Sequence, residues 1–204
     1  MIHRRTTERG EDSVEILRAE NVSEVYRGEH EVQALDQVSL SVEKGSLLAI
    51  VGDSGSGKST LLHILGGVDR PTSGRVFIQG TDITELPESD MSVFRRRNIG
   101  IIYQFFNLIP NINVRKNICL PLLLDQRVPD EDYYQEVIQT LAIADKQRRF
   151  PNELSGGEQQ RVAIARSLIS HPAVILADEQ SSPLHVDSSR HQLKGSGESG
   201  LGLL

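Results

Sequence analysis

The sequence contains little that a secreted or membrane-embedded protein would need. It has 204 residues and one cysteine, Cys119. A single thiol excludes an internal disulfide framework and fits a reducing compartment. No stretch approaches the roughly 20 apolar residues of a membrane-spanning helix, and residues 1–12 lack the apolar core of a secretory signal. We therefore expect a cytoplasmic chain, and any membrane path must come from another polypeptide.

Positive charge is also scarce, because the net charge is −6. Without a basic field we expect no general binding of nucleic acid. Two local basic clusters, Arg95-Arg96-Arg97 and Lys146-Gln147-Arg148-Arg149, are interpreted as solvated faces. The sequence has no internal repeat and no heptad run long enough for a coiled coil. The length is that of a single domain.

What the sequence does contain is a phosphate-binding motif of the form G-x-x-x-x-G-K-[ST] at residues 52–60, here called the phosphate loop. A short apolar strand precedes it and an apolar helix face follows it, as the mechanism of this motif requires. Glycines would let successive N–H groups point inward at a polyphosphate. Lys58 would reach the terminal phosphates, and Ser59 would join the oxygen shell of Mg²⁺. The residues predicted to bind nucleotide here are Gly52, Ser54, Gly55, Ser56, Gly57, Lys58, Ser59 and Thr60.

A second element of nucleotide chemistry is the apolar run at residues 174–177, which ends in Asp178 and Glu179. A carboxylate at the carboxyl end of a strand lies where open α/β sheets place their ligands. Asp178 is therefore predicted to hold Mg²⁺ or its water, and Glu179 to act as the catalytic residue that polarises the attacking water. The alternative is an ordinary strand that leaves the core through two solvated acids.

The third motif is Leu-Ser-Gly-Gly-Glu-Gln-Gln-Arg at residues 154–161, here called the signature segment. Ser155 and Glu158 have the spacing of a capping box, so a helix is predicted to begin here. A well-capped helix is the simpler interpretation. Yet Gly156 and Gly157 each cost about 1 kcal/mol of helix propensity relative to alanine. Bare N–H groups that face an anion explain that cost better.

These three motifs, with the signature segment lying between the phosphate loop and the acidic strand in the sequence, resemble the ATP-binding cassette (ABC) superfamily. The resemblance implies that Ser155, Gly156 and Gly157 bind the terminal phosphate of an ATP held by a different subunit, in a head-to-tail dimer with two ATP molecules. It implies that Gln104 belongs to the glutamine loop (residues 103–110) and completes the Mg²⁺ and water site. It also implies that Tyr26 stacks on adenine; simple packing is the alternative for this tyrosine. ATP and Mg²⁺ are the implied cofactors.

Residues 65–74, 103–110 and 117–124 most resemble ATPases that export lipoproteins, macrolides or antimicrobial peptides. The resemblance covers residues 14–179. It implies an ATP-hydrolysing subunit that powers a separate transmembrane permease and lies peripherally on the inner face of the cell membrane. Phe105, Phe106 and Leu108 follow Gln104, where the superfamily docks a cytoplasmic helix of its permease. Apolar side chains at these positions are equally compatible with a place in the core.

The expected fold is α/β, a P-loop NTPase with an antiparallel β layer and a helical lobe. Strands at residues 14–17 and 32–42 would form the layer, and residues 105–156 the lobe. The nucleotide-binding domain is predicted at residues 14–187. A flexible amino-terminal segment would precede it at residues 1–13, and a disordered tail would follow it at residues 188–204.

The sequence departs from the superfamily after Glu179. If the register is uninterrupted, His185 takes the position of the D-loop aspartate, and Asp187 could replace it only through a two-residue insertion. No apolar run follows that would carry the switch histidine. In the superfamily that strand lies between the phosphate-loop strand and the acidic strand, so its loss would open the sheet. Three explanations compete. The reading frame is truncated or altered after Glu179, the phosphate-loop strand and the acidic strand close on each other, or residues 184–204 fill the gap between them. The functional alternative is a degenerate ATP-binding module with little or no turnover. A third candidate, a non-transport cassette, would need a basic stripe or a second cassette.

Overall fold

The computed structural model describes residues 2–5, 14–28 and 31–178 of the chain. The strands are β1 (Ile2–Arg5), β2 (Glu15–Tyr26), β3 (Val32–Glu43), β4 (Leu47–Ile50), β5 (Ser73–Ile78), β6 (Thr81–Asp82), β7 (Ile99–Ile102) and β8 (Val174–Ala177). The helices are α1 (Lys58–Leu65), α2 (Glu88–Asn98), α3 (Val114–Leu124), α4 (Glu131–Thr140) and α5 (Gly156–Leu168), with single 3₁₀ turns at Ala144–Lys146 and Pro151–Glu153. None of the helices in these ranges is long and apolar enough to cross a membrane.

The antiparallel layer is a four-stranded sheet in the order β3-β2-β5-β6. The two long strands pair from Glu15 opposite Glu43 to Tyr26 opposite Val32. The inward face of the sheet contributes Leu17, Val22, Val76 and Ile78, which are fully buried. These side chains pack in one hydrophobic cluster with the inner face of α1. The layer therefore supports the helix that follows the phosphate loop, and the predicted fold class is confirmed.

The acidic strand β8 lies beside β7 in a parallel pair, with Ile99 opposite Val174 and Ile102 opposite Ala177. Helix α5 packs closely on β7 at Gly100. A Cβ atom at this glycine would lie 2.6 Å from the carbonyl oxygen of Ser167, so a side chain would push the helix away. The close approach joins the helix of the signature segment to the strand that leads into the glutamine loop.

Strand β4, which leads into the phosphate loop, pairs antiparallel with β1, from Ile2 opposite Ile50 to Arg5 opposite Leu47. The expected flexible segment thus includes a strand at residues 2–5; residues 1 and 6–13 lie outside the described part. A strand forms at residues 2–5 because the edge of β4 would otherwise leave N–H and C=O groups without partners. Within the described residues β4 and β8 belong to different sheets, so these strands have not closed on each other.

The helical lobe has its own hydrophobic cluster, formed by α3, α4 and the inner face of α5. Tyr134, Ile118, Ile138 and Val162 are fully buried in it. Helices α3 and α4 lie within residues 105–156, the range predicted for the lobe. Asn117 is also fully buried. Its side chain accepts a hydrogen bond from the N–H of Ile109 at 2.7 Å and donates to the carbonyls of Ile109 and Ile112 at 3.0 Å. It therefore ties α3 to the end of the glutamine loop.

The first basic cluster is a solvated face only in part: the Arg97 side chain is 53% exposed, but all three arginines bind partners. Arg95 donates to the carbonyl oxygen of Gly67. Arg96 and Arg97 both bind the carboxylate of Asp125, at 2.9 and 2.6 Å. The Asp125 side chain is only 3% exposed, because the turn after α3 places it directly against α2. This clamp joins the lobe to the core, and hydrogen bonds from the two arginines hold the pKa of Asp125 below its usual range despite burial.

Candidate nucleotide-binding site

The phosphate loop connects β4 to α1 and has the backbone shape that an anion nest requires. Gly55 and Gly57 have φ angles of 79° and 85°, in the left-handed region. A Cβ atom at Gly57 would lie 2.3 Å from the carbonyl oxygen of Ala34, so only glycine fits at this position. Gly57 is also the N-cap of α1, and no side chain caps that helix end. The first N–H groups of α1 are therefore available to a phosphate.

Lys58 folds back over the phosphate loop. Its ammonium group donates to the carbonyl oxygens of Gly52 at 2.8 Å and Asp53 at 2.7 Å, and lies 3.3 Å from the hydroxyl of Ser56. These contacts place a positive charge across the concave side of the loop. A polyphosphate that enters the loop would meet this charge directly.

The contact between Ser59 and Asp178 brings the first two motifs together. The Ser59 hydroxyl donates to the Asp178 carboxylate at 3.2 Å, although 119 positions separate the residues in the sequence. Asp178 is the first residue after β8, and its N–H donates to the carbonyl oxygen of Ile102 at 3.0 Å. A hydroxyl and a carboxylate in contact beside a phosphate site are the oxygen donors that Mg²⁺ prefers. The donor chemistry at this point therefore fits the predicted metal residues Ser59 and Asp178.

Tyr26 lies at the same end of the molecule, at the carboxyl end of β2. Its hydroxyl is 3.5 Å from the hydroxyl of Thr60 in the first turn of α1. Tyr26 is 47% exposed. The structure therefore brings Tyr26 and Thr60 together as neighbours beside the phosphate loop.

Gln104 lies just after the end of β7, the strand next to β8, and is exposed. Phe106 and Asn107, which lie two and three residues after Gln104, have positive φ angles of 25° and 47°. Arg166 on α5 binds both of their carbonyl oxygens, at 2.6 and 2.7 Å. Burial lowers the pKa of Arg166. The guanidinium therefore holds a strained loop in place from the signature helix.

The signature segment forms the start of α5, with Ser155 as its N-cap. Ser155 and Glu158 form the predicted capping box: the Glu158 carboxylate accepts from the N–H and the hydroxyl of Ser155, each at 2.8 Å. A Cβ atom at Gly156 would meet nothing within 4 Å. The N-terminus of α5 therefore faces open space. Ser155 and both glycines lie on the lobe, whereas the phosphate loop belongs to the core.

Several residues that shape this region were not identified from the sequence. They are Asn117, Asp125, Lys146 and Arg166. Arg166 follows the buried Val162 by four positions, which places both on neighbouring turns of one helix face. A charged residue four positions after a buried one on the same helix face is the sequence signal that could have identified Arg166. The predicted catalytic residue Glu179, together with His185 and the rest of the altered tail, lies outside the described residues.

The fold and this geometry define a class, the P-loop nucleotide-binding domains of α/β architecture. The family model for ABC transporters matches residues 35–182. The chain is 44% identical over 181 residues to the lipoprotein-releasing system ATP-binding protein LolD of Bordetella avium, a match that covers 87% of this chain and 79% of that protein. It is 45% identical to LolD of Aquifex aeolicus, covering 83% and 75% of the two chains. An uncharacterised ABC transporter ATP-binding protein of Mycobacterium tuberculosis is also 45% identical, covering 85% and 71%.

Among solved structures, the fold is similar to a dimeric post-hydrolysis state of the ATP-binding cassette MJ0796 bound to ADP and phosphate. The TM-score is 0.74 at 38% identity, and the match covers 80% of this chain and 74% of the other. A second dimeric structure of MJ0796, described as a bacterial ABC transporter cassette, has a TM-score of 0.73. The chain therefore belongs to the ABC transporter family and carries its ATP-binding domain, which confirms the family predicted from the motifs.

Proposed function

We propose that this chain binds ATP with Mg²⁺ and hydrolyses it as one of two cassettes in a head-to-tail dimer, and so powers export by a separate permease. The observation that carries the proposal is the contact between Ser59 and Asp178, which joins the phosphate loop to the acidic strand at 3.2 Å. The names of the relatives point the same way, because LolD belongs to a lipoprotein-releasing system. Lipoproteins are the substrate class that this likeness suggests.

The roles of the core residues follow from their chemistry. The N–H groups of the phosphate loop bind the phosphates, and Lys58 exchanges the carbonyls of Gly52 and Asp53 for terminal phosphate oxygens. Ser59, Asp178 and Gln104 supply the oxygen donors of the Mg²⁺ site. Mg²⁺, when bound, neutralises charge that develops on the phosphates. Tyr26 packs against the base. Glu179, the next residue after Asp178, acts as general base toward the attacking water.

The dimer is proposed because the signature segment and the phosphate loop lie on different parts of one chain. The phosphate loop precedes α1, which packs in the core cluster, whereas α5 packs in the lobe cluster. The open N-terminus of α5 has N–H groups to offer to an anion. A second copy placed head to tail would bring its ATP to Ser155, Gly156 and Gly157. The similarity to the dimeric MJ0796 cassette supports this arrangement.

The permease is proposed to dock beside the glutamine loop. Phe105 is 79% exposed and Phe150 44% exposed. Phe105 lines a groove of about 530 Å³ with Gln104, Pro151 and Gln159, among others. An exposed aromatic side chain at a groove, as Phe105 is here, is typical of a protein interface. Docking here would hold the chain at the inner face of the membrane.

A turnover assay with matched variants tests the proposed activity. The unmodified chain and Glu179→Gln should bind ATP with similar affinity, and only the unmodified chain should release phosphate, because the amide cannot take a proton from water. Release should be measured with and without the permease in lipid vesicles. Equal rates for both chains would show that this chain does not catalyse hydrolysis, and would leave the degenerate binding module as its function.

A further inference from the structure

The carboxylate of Glu158 has partners on both of its oxygens. Oε2 accepts from the N–H and from the hydroxyl of Ser155, each at 2.8 Å. Oε1 lies 3.4 Å from the ammonium group of Lys146. Lys146 ends the 3₁₀ turn Ala144–Lys146 and also contacts Asp145 at 2.8 Å. The hydrogen bonds from Ser155, with a smaller contribution from Lys146, lower the pKa of Glu158 to about 2.

This arrangement conflicts with the role proposed for Ser155. To bind a terminal phosphate, the serine hydroxyl must donate to a phosphate oxygen, but here it donates to Glu158. An ionised carboxylate also lies beside the place where the phosphate would arrive, and two anions at that distance repel each other. The capping box that starts α5 therefore opposes anion binding at the same helix end, unless another group offsets the charge.

Lys146 is placed to offset it. Its side chain is only 19% exposed, as is that of Glu158, so solvent screens the pair less than an open surface pair. An ammonium on Oε1 draws charge away from Oε2 and weakens its hold on the Ser155 hydroxyl. Arg149 is a further cation that acts on Asp145 and Lys146.

We propose that Lys146 is a positioning residue for the signature serine: by pairing with Glu158 it weakens that carboxylate's hold on the Ser155 hydroxyl, so that the terminal phosphate of the facing subunit's ATP can take the hydroxyl over. The inference rests on the proposed function, since it needs the head-to-tail dimer. Lys146 need not touch ATP itself. If Glu158 and Ser155 served only to cap α5, Lys146 would affect the stability of the lobe and nothing else.

The first experiment follows the Glu158 carboxyl carbon by ¹³C NMR during an acid titration of the full chain without nucleotide. Lys146→Met should raise the apparent pKa of Glu158, whereas Lys146→Arg should leave it close to its original value. Lys116→Met, which removes an exposed lysine elsewhere on the lobe, is the matched control. An unchanged pKa in Lys146→Met would overturn the proposal. This readout does not depend on dimer formation.

The second experiment measures MgATP-dependent association by sedimentation, with Glu179→Gln in every chain to prevent turnover. Lys146→Met should weaken association about two- to fivefold, the range expected for one partly exposed charge pair. Lys146→Arg should restore it. In a Glu158→Gln background, where the capping box persists without a charge, Lys146→Met should have no further effect.

The two experiments separate the failure of this proposal from that of the dimer. Equal weakening by Lys146→Met in both backgrounds, or none in either, overturns the positioning role but leaves the dimer intact. If the parent chain does not associate with MgATP, the proposed dimer fails and the positioning role fails with it. The titration then still shows whether Lys146 holds Glu158.

Discussion

The core and the helical lobe carry the two halves of the site in different ways. In the core, contacts across long sequence distances already join the parts, as Ser59 with Asp178 and Tyr26 with Thr60 show. On the lobe, the signature segment is held by local contacts around Ser155 and Glu158, and its helix end is open. The core is thus preorganised for a ligand, whereas the lobe offers one half of a site. Nucleotide affinity and dimer formation should therefore respond to different mutations.

The largest expected effect is on the core. Lys58→Met removes the charge that faces the phosphates, and ATP affinity should fall about 100-fold, as for the loss of a charge-assisted contact. Calorimetric titration of the full chain with MgATP measures it. Lys116→Met, on the exposed side of the lobe, should bind ATP like the unmodified chain. Comparable losses in both variants would show that the core does not hold the nucleotide independently of the lobe.

The clamp between core and lobe gives the next effect. Asp125→Asn leaves Arg96 and Arg97 without their carboxylate, and the free energy of unfolding should fall by about 1 to 3 kcal/mol. Urea unfolding at neutral pH measures the loss. Because the folded-state pKa of Asp125 is lowered, its contribution is present above the unfolded-state pKa of about 3.9 and is lost as the pH falls through the folded-state value.

The control for the clamp is a comparison of pH profiles. The stability difference between the unmodified chain and Asp125→Asn should shrink steadily below about pH 4. A difference that stays constant down to the acid transition would mean that the carboxylate charge is not what joins α2 to the lobe. At neutral pH the unmodified chain and Asp125→Asn should have similar ATP affinity, because the clamp does not touch the phosphate loop.

A third prediction concerns the permease surface. Phe105→Asp places a charge at an exposed aromatic position, so permease binding should weaken about tenfold while folding and ATP affinity stay unchanged. Co-sedimentation with permease vesicles measures binding. Phe106→Asp should be compared with Phe105→Asp, because Phe106 is partly buried and Arg166 binds its carbonyl oxygen. Loss of ATP affinity in Phe105→Asp would point to a role in folding of the core instead.

The smallest effect is expected at Tyr26. Tyr26→Ala should weaken ATP binding about threefold, while Tyr26→Phe should keep the affinity, because stacking needs the ring rather than the hydroxyl. Titration with MgATP and with Mg²⁺-tripolyphosphate separates the contributions, since only the nucleotide has a base. An equal loss for both ligands would assign Tyr26 to packing against Thr60.

The predictions from sequence were best where the chemistry is contiguous. The phosphate loop and the capping box of Ser155 and Glu158 lie within a few residues, so spacing alone indicates their geometry. The clamp of Asp125 with Arg96 and Arg97, and the hold of Arg166 on Phe106 and Asn107, join residues far apart in sequence. Their side chains look like ordinary surface charges until the fold brings them together. Which residues pair with β4 likewise depends on the whole sheet.

The pairing of β1 with β4 has a consequence for the order of events during synthesis. A ribosome releases residues 2–5 well before residues 47–50, at about 5 to 20 residues per second. The partner of the phosphate-loop strand is therefore already synthesised when that strand emerges, whereas β8 has still to be translated. A fusion tag that obstructs the first residues would act on this early step, and its cost would appear in the yield of folded chain.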